Sequence, residues 1–289
     1  MIIGGCMKQH SIKTIIKAAV LATAAFFLLA MPLKGADEGL VHTTIAARFP
    51  HKPVLIARFS TLYPYETATH KARHHNIDRM CRLTDGVILL PGVEFSLNDH
   101  VGPRTDPTLW MPAPTILQGK LVDDLGGGIC QFATTLYNCA LMADVTVTER
   151  SPHSIPPAYV PIGQDAAIAT GGADLKLYST AKTPILISCF TADAAPRQKE
   201  VVVELYGSPL PYEITLKSSV IQELSPGEEP IVVEEPWQAS PMRKGYEAEL
   251  YAIYLDARGN EHHRRLIRRS IYPAAAERIY PGRDHTKVE

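Results

Sequence analysis

Three consecutive glycines, Gly126-Gly127-Gly128, run directly into a stretch with helical spacing, and no other segment restricts the fold as strongly. Glycine has no Cβ, so the run permits a sharp turn and lets a ligand or a second segment come within backbone distance. Beyond it, Phe132, Leu136, Cys139 and Ala143 fall on one side at about 100° per residue, which predicts a helix over 129–143 with that face buried. Cys130 sits in the first turn, roughly 180° from Cys139 on the helical wheel. The free N–H groups and the dipole of a helix start stabilise a thiolate, and the same amides suit an oxyanion. Cys139 therefore reads as a core cysteine and Cys130 as one directed elsewhere. They cannot pair on a straight helix: nine residues span about 13.5 Å, against a disulfide Cα limit of about 7 Å.

A nucleophilic cysteine needs a base. His153 follows in Glu149-Arg150-Ser151-Pro152-His153-Ser154, and Asp165 in Gly163-Gln164-Asp165-Ala166. Cysteine, histidine, then aspartate is a permissible order for a triad. The plain alternative is that Cys130 packs and His153 is an ordinary hydrogen-bonding histidine. A disulfide among Cys81, Cys130, Cys139 and Cys189 is a further alternative in an oxidising compartment. His74 and His75 are adjacent and would point apart on a helix. No Cys-x-x-Cys spacing occurs, and no metal is expected. No phosphate loop, dinucleotide fingerprint or Gly-x-Ser-x-Gly occurs either, so no cofactor is expected.

Composition narrows the partners. The chain has 289 residues, 46% hydrophobic and 20% charged, which excludes a disordered or polytopic membrane chain. Lys+Arg is 29 and Asp+Glu 30, so nucleic acid is not expected as a partner. Residues 1–36 hold four of those lysines and no acid, so the remainder is mildly acidic. Within them, a basic stretch over 7–17 precedes an apolar run over 18–33, shorter than the roughly 20 residues needed to cross a bilayer with ease. The pattern reads as a secretory signal peptide. Because Leu33 and Lys34 stand where small residues are preferred before a cleavage point, an N-terminal membrane anchor is the alternative. Either way the rest of the chain is expected to be exported: periplasmic, extracellular or held at the membrane outside the cytoplasm.

The remaining pattern predicts short strands around two helices. Strands are expected over 54–59, 87–90, 159–162, 175–178, 185–190, 201–206, 214–220 and 231–233. A helix is expected over 70–85, with Ile77, Met80 and Cys81 facing inward. The stretch through Asn98, Gly102 and Pro103 reads as a polar loop. Residues 246–255 alternate, 256–260 turn and 261–271 return, the signature of a hairpin. Strands in hairpin order rather than alternating with helices predict an α+β fold: a few helices on a mixed or antiparallel short-stranded sheet, with a β-rich C-terminal extension. The expected organisation is a leader over 1–36, a main domain over 37–208 and a small extension over 209–289.

Several ordered motifs resemble the VanW family. They are Phe95-Ser96-Leu97-Asn98, Gly102-Pro103-Arg104-Thr105, Gly126 to Gln131 continuing into Thr134-Thr135-Leu136-Tyr137-Asn138, Glu149-Arg150 with His153-Ser154, Tyr159-Val160-Pro161 and Gly163 to Ala166. The resemblance covers about 57–207. It implies an envelope-associated bacterial protein in a cell-wall context, and the family's motif residues carry over as Asn98, Arg104, Gly127, Gly128, Cys130, Gln131, His153 and Asp165. One departure lies between Asp106 and Gln118, where this chain has Pro107, Trp110, Pro112 and Pro114 in place of the family's usual Gly-Tyr-x-x-Ala-like segment. Two readings stand together. In one, the protein is a cysteine-dependent acyl transferase or hydrolase acting on peptidoglycan peptide. Cys130 is its nucleophile, His153 its base and Asp165 the orienting acid. Gln131 and nearby amides face the oxyanion, and Arg104 faces a substrate carboxylate. In the other, it is a non-catalytic module that binds the cell wall or peptidoglycan fragments.

Overall fold

The computed structural model describes residues 52–117 and 120–281. The leader expected over 1–36 lies outside them. An antiparallel sheet of order β1-β9-β8-β2 forms the base of the fold. Its strands are β1 (Val54–Pro64), β2 (Ile88–Leu89), β8 (Ile185–Ala195) and β9 (Gln198–Gly207). Val201, Val203 and Leu205 alternate along β9 and are fully buried, as a sheet covered on that face requires.

The cover is helical. Helix α1 (Ala68–Thr84) starts at Thr67, whose side chain accepts the His70 N–H while the His70 ring accepts the Thr67 N–H. It buries Ile77, Met80, Cys81 and Thr84, a spacing of three and four that puts one stripe on the core. The Asp85 N–H closes the last turn on Cys81 O, and Gly86 follows at φ +80°. Helix α3 (Ile129–Met142) is almost wholly buried and packs on β1 and β9 as well as on α1. Between them lies α2 (Leu97–Val101), one short turn capped by Ser96.

Smaller sheets flank this centre. Strands β3 (Glu94–Ser96), β6 (Thr146–Glu149) and β7 (Lys176–Tyr178) form one of order β3-β7-β6. Strands β4 (Pro112–Leu117) and β5 (Lys120–Leu125) pair as a hairpin. The C-terminal residues add an antiparallel sheet β10-β12-β13, from Glu213–Leu224, Gly245–Leu255 and Glu261–Tyr272. Parallel strands β11 (Ile231–Val232) and β14 (Arg278–Ile279) lie beyond it. Leu250 of β12 is fully buried in the main core, where Leu216 and Ile267 also pack.

The fold is α+β, with antiparallel sheets and a β-rich C-terminus. Two local expectations are corrected, and one strand is added to the pattern. Residues 159–162 form turns rather than a strand, and Pro161, which has no N–H to donate, lies among them. The polar loop near Asn98 contains β3 and α2. The proline-rich 112–117 segment is a strand, because the hairpin it forms has only one partner and prolines are tolerated on edges. No helix among the described residues is long and apolar enough to cross a membrane.

Candidate functional site

The glycine run creates the site by letting three elements converge. A Cβ on Gly127 would stand 2.0 Å from Ala113 O of β4, and one on Gly128 would stand 2.8 Å from Arg73 Cγ of α1. Gly128 also holds φ +103°, a region that side chains disfavour. Buried Asn76 ties the crossing together. Its Nδ2 donates to Met111 O (2.8 Å) and Gly127 O (3.0 Å), and its Oδ1 accepts the Met111 N–H (2.9 Å). The two glycines carried over as binding residues thus act through close backbone approach.

Helix α3 leaves this turn with Cys130, Thr134 and Asn138 on one face at intervals of four. That face holds the loop over 163–168. Thr134 Oγ1 donates to Ala166 O (3.2 Å) and accepts the Ala166 N–H (2.9 Å). Asn138 Nδ2 donates to Gln164 O (2.8 Å). Cys130, one turn earlier, directs Sγ to Ile168 O at 3.5 Å. The same packing fixes the backbone on both sides of Asp165. The Ala167 N–H bonds Ser151 O (2.9 Å), which brings the 150–153 segment alongside.

His153 and Asp165 then meet. The His153 N–H and Nδ1 both lie 2.7 Å from Asp165 Oδ2. Asp165 is a carboxylate here, so Nδ1 carries the hydrogen and Nε2 is left for the thiol, with which His153 shares a side-chain hydrogen bond. Cys130, His153 and Asp165 therefore form one line of hydrogen-bonded side chains. Burial alone would raise the Cys130 pKa, but the hydrogen bond and charge of His153 outweigh it, helped by Ile168 O and by Arg104, and the thiol titrates below its ordinary value. Burial alone would lower the His153 pKa; the hydrogen bonds to Asp165 and Cys130 overcome it and hold the ring at about 9. Asp165 is pulled down against its own burial by His153, Arg150 and Tyr272.

Two residues of this network were not legible as site residues. Arg150 is fully buried; its Nε donates to Asp165 O (2.5 Å) and its Nη2 to Asp165 Oδ1 (3.0 Å). Its motif position was visible, its role was not. Tyr272, at the end of β13, donates its hydroxyl to Asp165 Oδ1 and accepts the Gly163 N–H at 2.9 Å. Nothing in the alternation of β13 singles it out.

The other expected residues fall on either side. Gln131 is buried and spends its amide on Thr61 Oγ1 and Leu62 O (both 3.0 Å), while its Oε1 accepts from Arg73 (2.7 Å). The expectation that its side chain faces an oxyanion is thereby corrected: its donors are already bound. The Gln131 N–H bonds Gly128 O and the Ile129 N–H bonds Gly126 O, so Cys130 offers the first-turn amide beside the thiol. Arg104 lies near Cys130 and is nine-tenths buried. Asn98 anchors the adjoining loop through Ala169 O and Ala173 O. A cleft of about 180 Å³ opens on the thiol, lined by Arg73, Thr115, Gly128, Cys130, His153 and Tyr159 among others. Cys81, Cys139 and Cys189 are buried thiols. Cys139 bonds Val203 O, and burial pushes its pKa up.

A family model described as VanW like protein matches residues 72–206. An uncharacterized protein, YoaR, of Bacillus subtilis (strain 168) is 37% identical over 123 residues, 43% of this chain and 41% of its own length. The vancomycin B-type resistance protein VanW of Enterococcus faecalis (strain ATCC 700802 / V583) is 30% identical over 107 residues, 35% of this chain and 39% of its own. The chain thus spans about two-fifths of the length of the curated relatives it matches. No solved structure matches it. The matched segment contains Cys130, His153 and Asp165, and the chain carries a VanW-like domain over residues 72–206.

Proposed function

We propose that the protein is an exported cysteine-dependent acyl transferase or hydrolase whose substrate is cell-wall peptide. The observation that carries this is the hydrogen-bonded line Cys130, His153, Asp165, with the thiol held below and the imidazole above their ordinary pKa values. Such a pair is a thiolate and an imidazolium between those two values, the state from which cysteine acyl chemistry starts. In the first half-reaction Cys130 Sγ bonds the carbonyl carbon of an amide, and the Cys130 N–H faces the oxyanion. The C–N bond then breaks as His153 Nε2 gives its proton to the leaving amine. The thioester is released by an incoming amine (transfer) or by water (hydrolysis), with His153 taking the proton back. Asp165 holds Nδ1–H throughout, and Arg150 and Tyr272 hold Asp165. The basic and apolar leader supports export. The vancomycin-resistance name of one relative directs the substrate search to the cell wall.

The test is the pH dependence of Cys130 alkylation in the purified protein. The rate is expected to rise through a titration well below the roughly 8.5 of a free cysteine. In His153→Ala the limb moves up, because the thiolate loses its hydrogen bond and its countercharge. A hydrolytic or transfer rate should form a bell, falling as His153 loses its proton near 9. A Cys130 that titrates like a free thiol and ignores His153 would sink the enzyme reading in favour of a wall-binding module, which a sacculus pull-down then checks.

A further inference from the structure

A second cavity, of about 490 Å³, opens next to the candidate nucleophile; Asn98, Arg104, Thr170, Gly171, Asp174 and Lys176 are among the residues lining it. Its link to Cys130 is short. Cys130 Sγ bonds Ile168 O (3.5 Å), and the Arg104 N–H bonds Thr170 Oγ1 (3.1 Å), two residues further along the same strand of chain. The stem of Arg104 runs beside the glycine turn: a Cβ on Gly126 would lie 3.6 Å from Arg104 Cβ.

Arg104 is 5% exposed, yet only its Nη1 has an acceptor, Gly102 O at 3.1 Å. Its Nε and Nη2 are buried with no partner among the described residues. A buried guanidinium with two idle donors is unfavourable by itself, because each unmade charged hydrogen bond leaves desolvation uncompensated. Of the three carboxylates lining the cavity, Asp174 and Glu149 are already engaged. Asp174 accepts from Ser96 Oγ (2.6 Å), the Asn98 N–H (2.9 Å) and the Leu175 N–H (2.7 Å). Glu149 is paired with Lys176 at 2.9 Å, and Asp99 is exposed. Nε and Nη2 form one edge of a planar fork, the edge that matches the two oxygens of a carboxylate. Asn98 supplies the complementary atom. Both of its amide hydrogens go to carbonyls, Ala169 O and Ala173 O, which fixes Oδ1 as an acceptor, and that oxygen is buried and unpartnered.

We propose that this cavity is a recognition subsite for an amino-acid carboxylate, with Arg104 Nε and Nη2 holding the carboxylate and Asn98 Oδ1 taking the neighbouring amide N–H. The inference rests on Cys130 being the reactive thiol, and it restricts the site to substrates that carry a free carboxylate near the reacting amide.

The probes are iodoacetate, its neutral counterpart iodoacetamide, and N-acetylglycine with its amide. Both alkylating reagents attack the same thiolate, so their rate ratio at Cys130, normalised to a free thiol and read by peptide mass, cancels changes in thiolate fraction. In the wild type the normalised ratio should favour iodoacetate by about tenfold, the scale of one charge-assisted contact. N-acetylglycine should slow iodoacetamide labelling, and N-acetylglycinamide should not. Arg104→Gln should abolish both effects, and Arg104→Lys, which keeps the charge and loses the fork, should retain only a minor part. A wild-type ratio equal to that of a free thiol, or equal protection by acid and amide, overturns the subsite without recourse to any variant. So does a preference that survives in Arg104→Gln or disappears only in Arg73→Gln, which would move the carboxylate to the arginine of the thiol cleft. A Cys130 that reacts with neither reagent defeats the acyl-transfer reading itself, a result distinct from a reactive thiol with no anion preference.

Discussion

Gly127 shows how little room the site leaves at a single residue. Its φ is not left-handed, so an alanine there meets no torsional objection; the obstacle is Ala113, whose carbonyl oxygen and carbon would lie 2.0 and 2.4 Å from the new Cβ. Those are backbone atoms and cannot rotate away. Gly127→Ala should therefore cost at least about 1–3 kcal/mol, the usual range for overpacking, and should displace β4 from the thiol cleft. Gly86 is the reverse case, with φ +80° and open space, and Gly86→Ala should lose only about 1 kcal/mol through torsion. Urea unfolding of both variants reads the difference, and equal losses would show that Ala113 yields. The three glycines were legible in the sequence, as was the special position of Cys130 at a helix start. His153 and Asp165 were legible only as residues in a permissible order. What joins them is the loop over 163–168, whose path depends on hydrogen bonds between residues 26 to 32 apart, and no local pattern carries that information. Arg150 belongs to the same class: a charged residue reads as solvated until the fold buries it against Asp165.

At the scale of elements, α3 has two faces, and the sequence displayed only one. The apolar stripe of Phe132, Leu136 and Cys139 announces burial by its period. On the opposite face Thr134 and Asn138 look like an ordinary polar side and are nonetheless buried, with Cys130 half-buried beside them, because their side chains are spent on the backbone of the 163–168 loop. Thr134 is the central contact, both giving and receiving a hydrogen bond at Ala166. Thr134→Val keeps the shape and removes the hydroxyl, leaving the Ala166 N–H and carbonyl buried without partners. The expected loss is about 1–3 kcal/mol of stability, accompanied by a rise in the Cys130 alkylation pKa as Asp165 and His153 lose their fixed position. A stable variant with an unchanged thiol titration would show that the loop is held from elsewhere. The strands were read less evenly. Long alternating strands such as β12 and β13 stood out, whereas the β4–β5 hairpin, with Pro112 and Pro114, did not. Its pairing uses only one edge, and a two-stranded ribbon can take prolines that a central strand cannot.

For the molecule as a whole, the decisive fact is that the site does not end where the family match ends. The matched segment stops at residue 206, before β10, yet β13 returns to place Ser270 against Arg150 Nη1 (2.7 Å) and Tyr272 against Asp165. The C-terminal sheet is thereby tied to the acid of the candidate triad. Tyr272→Phe isolates that tie: it keeps the ring and removes the hydroxyl that donates to Asp165 and accepts from the Gly163 N–H. The unfolding free energy at pH 7 should fall by about 1–3 kcal/mol, since a buried amide and a buried carboxylate each lose a partner. The pH dependence gives the mechanism. Asp165 has a folded pKa below its unfolded value of about 3.9, so its contribution is fully present above that value and is lost as pH falls through the folded one. Tyr272 is one cause of the depression, and its removal raises the folded pKa and subtracts part of that contribution at neutral pH. The gap between wild type and Tyr272→Phe should therefore be widest above about pH 4 and narrow towards pH 3, without closing, because the Gly163 N–H stays unpaired in the variant. Denaturant titrations at pH 7 and pH 3 measure both. A gap that is absent, or identical at the two pH values, would mean that Tyr272 is only a packing residue and that the C-terminal sheet stands apart from the chemistry.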